Sequence, residues 1–534
     1  MFKLIILYFN TIKFLKPSQI FYRFYYKVKG RKIYNLKLPE KTFHKKKLFF
    51  LEKKNKSNEL NKIYLINIEV DFQNNFEWDA NNTSKLFLYN LHYFDFLCFS
   101  NENIEYSKKI EIIRNWIKKY NNPKLIGWDS YPTSLRIVNW IKFIIMNDII
   151  DREIEINLFN QANYLSSNIE YNIEANHLIS NLKALIFSGI YFNSKKILKI
   201  GMKLLDKEID KQILSDGGHF ETSPMYHAIV FEDFLDILNI LSLNCDQEFV
   251  PIIDKLKKAT HNMRGWIESI IHPDMSLPFF NDTNYSVASE INQLLLYASN
   301  NGIQKTNKKD EIICLDESGY VISRIKESFL ITNISEIKAN YQPGHSHADT
   351  LSFEFSFNNE KIIVNSGIST YEDNAQREYE RSTNSHSTIS VNNESSSEIW
   401  KSFRVARRAK IVKKNIKKGN NEVSIFASHN GFERFKKGVI HEREWKLSNY
   451  SLFIYDQIHG KYNSAISRIF FHPSIKIINK NIILTKTGKE IKIKTKNSYV
   501  VKETFWYPEF NLRKKNYCLE INLMNNTSQI ELIW

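Results

Sequence analysis

From about Leu86 to Ala298 the apolar positions recur every three to four residues, the spacing that gives a helix one water-shielded face. Leu135, Val138 and Ile141, with Ile137 and Trp140 beside them, form one such stripe. Leu178, Leu182 and Leu185 form a second, and Phe231, Phe234, Leu235 and Leu238 a third. Asn121-Asn-Pro123, Asp216-Gly-Gly218 and His272-Pro273 break the pattern between them, and Asp129 or Ser130 ahead of Tyr131-Pro132 reads as a helix cap. Antiparallel helix pairs bury such faces, and no fixed period points to a short-repeat solenoid. After roughly Lys305 the pattern shortens to alternating runs: Phe329 to Asn333, Leu351 to Phe357, Lys361 to Val364, Val423 to Phe426, Ser451 to Tyr455 and Ile491 to Lys494. Asn358-Asn-Glu360 and Thr487-Gly488 fall where hairpin turns belong. The expectation is a multidomain α+β chain: helices over 86–305, an antiparallel sandwich over 306–534, and an N-terminal extension, 1–85, packed on the helical half.

Composition narrows the partner. The 74 Lys and Arg against 58 Asp and Glu give a net charge of +16, which favours nucleic acid, an anionic membrane surface or an acidic polysaccharide. Much of the excess is scattered Lys, such as Lys45-Lys46-Lys47 and Lys413-Lys414, which read as a solvated face; without a basic arm or a nucleic-acid motif, no nucleic-acid partner is expected. Cys98, Cys245, Cys314 and Cys518 lie far apart with no CxxC pair, so they are expected to be buried thiols. The apolar run of Met1 to Phe9 stops at Asn10 without a small-residue cleavage site, which favours a cytoplasmic over a periplasmic product. No segment has the roughly 18 apolar residues of a membrane span; Ile141 to Ile150 is broken by Lys142, Asn147 and Asp148.

Three clusters place titratable groups where a core pattern wants apolar ones. Glu174-Ala-Asn-His177 precedes an apolar helix, and Asn176 or Glu174 also suits a simple cap. Asp216-Gly-Gly-His-Phe-Glu-Thr-Ser-Pro-Met-Tyr-His227 delivers His219, Glu221, Tyr226 and His227 from a tight turn. Pro343-Gly-His-Ser-His-Ala-Asp-Thr350 enters a predicted strand, on which H-x-H spacing points both imidazoles to one face, suiting two metal ligands or one ligand beside one base. Arg381-Ser-Thr-Asn-Ser-His386 offers a third ligand.

These clusters, with Trp128 to Trp140, Lys183-Ala-Leu, Asn365-Ser-Gly367, Phe403-Arg404 and Arg407-Arg-Ala409, resemble the heparinase II/III family of polysaccharide lyases, in order along the chain. The resemblance implies an incomplete α/α toroid packed on an antiparallel β-sandwich, with an acidic polysaccharide cleaved by β-elimination at a uronate. It places Asn176, His177, Tyr226 and His345 at the catalytic positions. His347, Asn365 and His386 fall at those of a divalent metal (Zn, Ca or Mn) that braces the sandwich loops. Arg136, His219, Glu221, Arg381 and Arg404 stand in the same motifs as expected substrate contacts, with Arg381 and Arg404 expected to favour a tyrosinate at Tyr226. The second metal position is usually Asp, and an amide at Asn365 binds a divalent cation less strongly. Reprotonation at C5 would make the same site an epimerase of capsule or exopolysaccharide synthesis, and a third reading is a glycan-binding protein without turnover.

Overall fold

The computed structural model describes residues 2–534 except 34–35, 40–47, 54–55, 74–75, 80–82, 101–102, 244–245 and 307–309. Lys45 to Lys47 and Cys245 lie outside the described residues. Among those described, twelve α-helices run in chain order: α1 Phe2–Ile12, α2 Pro17–Lys29, α3 Lys85–Tyr93, α4 Tyr106–Lys119, α5 Ser130–Met146, α6 Arg152–Ser167, α7 Ala175–Tyr191, α8 Lys195–Gln212, α9 Pro224–Leu241, α10 Val250–Ile270, α11 Ile291–Asn300 and α12 Ala375–Arg381. Helices α7 and α9 are buried almost all round, so they form the inner layer, and α7 packs against α5, α8 and α9. The entry to α9 is set by Pro224 in its first turn and by Ser223, whose Oγ accepts the Tyr226 N–H at 3.2 Å.

Two expected caps are not caps. Asp129 precedes α5 but makes no side-chain cap bond; it accepts the Tyr89 hydroxyl at 2.6 Å and pairs with Arg31 at 2.8 Å. Glu174 precedes α7 with φ at 64°, and its carboxylate pairs instead with Lys16 at 2.6 Å. Asn176 lies inside the first turn of α7 rather than at its cap.

In the second half the named strands that pair do so antiparallel, and an isolated parallel bridge joins Gly367 to Tyr507. Ile312–Leu315, Tyr320–Ile325, Ser328–Asn333, Phe353–Phe357 and Glu360–Ile363 form a five-stranded meander. An eight-stranded sheet includes Glu422–His429, His441–Ser448, Ser451–Ile458 and Thr527–Ile533, and a four-stranded sheet carries Tyr499–Glu509 and Leu512–Asn522. Phe353, Phe355, Leu330, Trp445, Ile454 and Leu532 share the core between them. Asn358 and Asn359 both take positive φ, 53° and 61°, as a two-residue hairpin requires. The predicted strand at Leu351 begins two residues later, because Leu351 itself has φ at 62°.

The N-terminal extension does not rest on the helical half alone. Helix α2 meets that half, with Tyr22 against Tyr171 at 4.8 Å and Gln19 Nε2 donating to the Ile173 carbonyl. Helix α1 crosses to the other half, where the Trp400 indole donates to Thr11 Oγ1 at 3.0 Å and Tyr8 meets the Trp400 ring edge-on. Cys98 and Cys518 are buried as expected, whereas Cys314 is exposed because it points outward from a short edge strand. Among the described residues no helix is long and apolar enough to cross a membrane.

Candidate active site

The site is organised by a residue the motifs do not contain. Asp282 lies in the irregular segment after α10, fully buried, and its carboxylate accepts from His345 Nδ1 at 2.8 Å, His347 Nε2 at 2.7 Å and both terminal nitrogens of Arg377 at 2.5 and 2.7 Å. Burial alone would raise its pKa, but Arg377 and the two imidazoles outweigh that and hold it well below the usual carboxylate range. An ionised carboxylate only accepts hydrogen bonds, so both imidazoles must give it their protons. The tautomers follow: His345 keeps its lone pair on Nε2, and His347 on Nδ1. Burial pushes the His345 pKa down despite Asp282, so the ring is a neutral base.

The expected strand under His345-Ser-His347 is absent. Pro343–His345 is a 3-10 turn followed by irregular chain, and the two rings meet one carboxylate from its two oxygens instead of sharing a strand face. Arg381 holds that turn, donating to the carbonyls of Ser346 at 2.9 Å, Lys401 at 2.8 Å, Arg404 at 3.4 Å and Pro343 at 3.5 Å.

Tyr226 stacks on His345 with ring centroids 3.7 Å apart, and its hydroxyl lies 2.9 Å from that of Tyr371. Burial, with Tyr371 and Asp282 adding to it, raises the phenol well above its ordinary pKa, so the expected tyrosinate is not favoured. The arginines assigned to that role are occupied elsewhere: Arg381 by the carbonyls just named, Arg404 by stacking over Trp400 at 4.7 Å and Tyr8 at 5.2 Å. Tyr226 and Tyr371 open onto a cleft also lined by Tyr131, Lys53, Lys183 and Asp233. Its buried Lys183 is already paired with Asp233 at 2.8 Å.

The Gly217-Gly218 turn delivers Glu221. A Cβ on Gly218 would meet Ser318 Oγ at 2.2 Å and the Trp266 indole at 2.6 Å, so only glycine lets the turn lie against both. Glu221 is buried with neither carboxyl oxygen hydrogen-bonded to a side chain, one of them 4.0 Å from His345 Nε2. Burial lifts its pKa to about 8, with the Asn176 backbone N–H opposing, so it is neutral at pH 7. His177 bonds Glu170 at 3.2 Å and stacks on Tyr131 at 4.2 Å. His219 is a layer behind, fully buried and bonded to Gln212 at 3.0 Å. Arg136 leaves the site altogether: it is fully buried in the helical core, 4.0 Å over the Trp116 ring, with Gln161 and the carbonyl oxygens of Gly127 and His92 as partners. A side chain so enclosed cannot reach substrate.

The three expected metal residues lie on the far side of Asp282. His347 Nδ1 and His386 Nε2 are 3.2 Å apart, close to the roughly 3.3 Å between neighbouring nitrogens on a tetrahedral ion at about 2.0 Å. Asp282 behind His347 supplies the carboxylate–histidine arrangement that orients metal ligands. Asn365 Oδ1 accepts the Ser387 N–H at 3.1 Å while its buried Nδ2 has no partner. Among the described residues no group of three His, Cys, Asp or Glu side chains forms a metal cluster, so the set is two imidazoles and an amide.

Asn176, His177, Tyr226 and Asp282 come from the first half of the chain; His345, His347, Arg377 and His386 come from the second. That division coincides with two domain matches: a heparinase II/III N-terminus over residues 22–304 and a heparinase II/III-like C-terminal domain over 308–532. The chain belongs to the heparinase II/III family. A heparin-sulfate lyase of Bacteroides thetaiotaomicron is 26% identical over 336 residues, 53% of this chain and 47% of that protein. One from Bacteroides stercoris is 26% identical over 267 residues, 43% of this chain and 38% of that protein. The chain thus spans less than half the length of these curated relatives. A heparinase III crystal structure shares the fold, with a TM-score of 0.67 at 17% identity over 86% of this chain and 79% of that one. The heparinase II/III architecture is the incomplete α/α toroid followed by the antiparallel sandwich, and the site lies on their seam. Sequence reasoning missed Asp282, Arg377 and Tyr371; the one available signal was the polar run Asn281-Asp-Thr-Asn284 directly after Phe279-Phe280.

Proposed function

We propose that the chain is a polysaccharide lyase that cleaves a uronate-containing acidic polysaccharide by β-elimination. The observation that carries this reading is the stack of Tyr226 on His345, with His345 locked by Asp282 so that an unprotonated Nε2 stands beside a protonated phenol. A uronate C5 proton becomes removable once its carboxylate is neutralised by hydrogen bonds, the role we give Asn176, with His177 beside it. His345 Nε2 takes the C5 proton, the C4–O4 bond breaks as C4=C5 forms, and Tyr226 gives its proton to the departing O4. Tyr371, 2.9 Å from the phenol, stabilises the phenolate left behind. Neutral Glu221 matters to the base: were it ionised together with Asp282, two carboxylates would drive the imidazole into its protonated form. The names of the two lyases support a glycosaminoglycan as substrate, and capsular or exopolysaccharide uronates share the carboxylate the mechanism needs.

His347, His386 and Asn365 would hold a divalent metal, for which the facing nitrogens are the support. Bound there, it would supply positive charge that braces the loops beside His345. The test of the catalytic reading is incubation with a panel of uronate polysaccharides, followed by ultraviolet absorbance and mass spectrometry. An unsaturated terminal uronate is the expected product; deuterium uptake at C5 of an intact chain would identify an epimerase, and glycan binding with neither product would reject both.

A further inference from the structure

Helices α1 and α2 each leave an apolar arc uncovered. In α1 the exposed apolar residues are Leu4, Ile5, Tyr8, Phe9 and Ile12; in α2 they are Ile20, Phe21, Phe24, Tyr25 and Val28. Both sets follow the spacing i, i+1, i+4, i+5, i+8, which at about 100° per residue gathers each onto one arc of its helix. The exposure is large, 69% for Phe9, 61% for Phe21, 67% for Phe24 and 87% for Val28. Other positions are committed: Thr11 and the ring edge of Tyr8 to Trp400 in the sandwich half, Gln19 and Tyr22 to Ile173 and Tyr171 in the helical half. The outward apolar arcs are therefore held on a fixed support across the seam of the molecule.

The charge around them is one-sided. Residues 1–32 contain eight Lys and Arg and no Asp or Glu, a net +8 that is half of the whole chain's +16. Arg23 and Lys27 flank the α2 arc on one side, the arrangement of a helix that lies in a headgroup layer with cations at its rim, and Lys29 on the other side donates to the Ser167 carbonyl. Lys16 and Arg31 are paired with Glu174 and Asp129, and a second copy of this face would bring the remaining cations, Arg23 and Lys27 among them, against their own kind, which argues against self-association. Helices of 11 and 13 residues are too short to span a bilayer, which takes about 20 residues, but they suffice to lie on one.

We propose that α1 and α2 dock the protein onto an anionic membrane surface, burying the two apolar arcs among the acyl chains while Arg23 and Lys27 meet lipid headgroups. The proposal stands on this face alone and is independent of the lyase reading.

The full-length protein is sedimented with phosphatidylcholine vesicles and with vesicles containing about one-third phosphatidylglycerol; the expected result is at least about tenfold stronger binding to the anionic vesicles, weakened by salt. The combined variant Phe9→Ser, Phe21→Ser, Phe24→Ser and Val28→Ser is expected to lose about tenfold or more of that binding at unchanged Tm, since these side chains are mostly in solvent. A second variant, Arg23→Glu with Lys27→Glu, tests the rim cations without touching the apolar arcs and is also expected to bind more weakly. The proposal is overturned by absence of binding to anionic vesicles, by equal binding to neutral ones, or by both variants binding as the parent does. It is equally overturned if the serine variant turns a dimer into a monomer, or if an acidic protein occupies the face and vesicles do not.

Discussion

Tyr226 and His345 belong to different halves of the chain, yet their rings stack at 3.7 Å and an interplanar angle of 25°. A phenol too basic to ionise lies against an imidazole too buried to protonate, so acid and base are delivered as one packed pair. The arginines Arg381 and Arg404 were expected to favour a tyrosinate at Tyr226; burial keeps that phenol protonated, and burial and Asp282 set the state of His345.

Tyr226→Phe removes only the proton donor. Because the ring remains to stack on His345, stability should change little, while kcat/KM should fall by about 10² to 10⁴, the usual worth of a positioned acid. Formation of unsaturated product against time, with a urea titration alongside, measures both.

Asp282→Asn should be more damaging. An amide can donate to one imidazole and no longer fixes its tautomer, a change that costs about 10⁴-fold in an Asp–His pair. It also leaves Arg377 buried without a counter-charge, which we expect to cost about 3–5 kcal/mol. Retention of more than a tenth of the activity in the folded variant would exclude the role given to Asp282.

Glu221 sets a pH dependence of stability. Its folded pKa, about 8, lies above the value of an unfolded glutamate, so its contribution is complete below about pH 4 and is lost as pH rises toward 8. Calorimetric Tm of Glu221→Gln relative to wild type should therefore rise progressively over that window, and a constant difference would rule out the buried neutral carboxyl.

Arg136→Met should separate folding from chemistry. Loss of its bonds to Gln161 and two carbonyls leaves buried acceptors unpaired, at an expected cost of about 2–4 kcal/mol in urea denaturation. The activity per folded molecule should stay at the wild-type level; a selective loss of kcat would restore the substrate-contact assignment.

Asn365→Asp replaces the weak amide ligand by a carboxylate and should raise the divalent metal retained per chain after dialysis, read by elemental mass spectrometry. His386→Ala should lower it. Equal metal content in all three proteins would remove the metal assignment.

The helices and hairpins were legible because their signals are local: the α9 stripe of Phe231, Phe234 and Leu235, and the Asn358-Asn359 turn, each fit within a short window. Tyr226 and His345 were legible only through the ordered motifs. Arg136 was misread because a motif position says nothing of burial, although its neighbours Leu135, Ile137 and Val138 already marked an apolar face. Asp282 was missed for the opposite reason. Its partners lie 63, 65 and 95 residues away, and the polar run Asn281 to Asn284 does not by itself tell it from an ordinary loop aspartate.

That separation also fixes the order in which the site comes into being. During synthesis Asp282 emerges before all three of its partners, and the last of them, Arg377, follows only after the whole five-stranded meander has been made. Until then the carboxylate has no counter-charge and His345 no orienting acceptor, so a nascent or truncated chain holds Tyr226 beside nothing that can take a proton. The two halves are consequently not exchangeable modules: a helical half grafted onto another sandwich inherits an unpaired anion at the graft, and works only if its histidines and arginine travel with it.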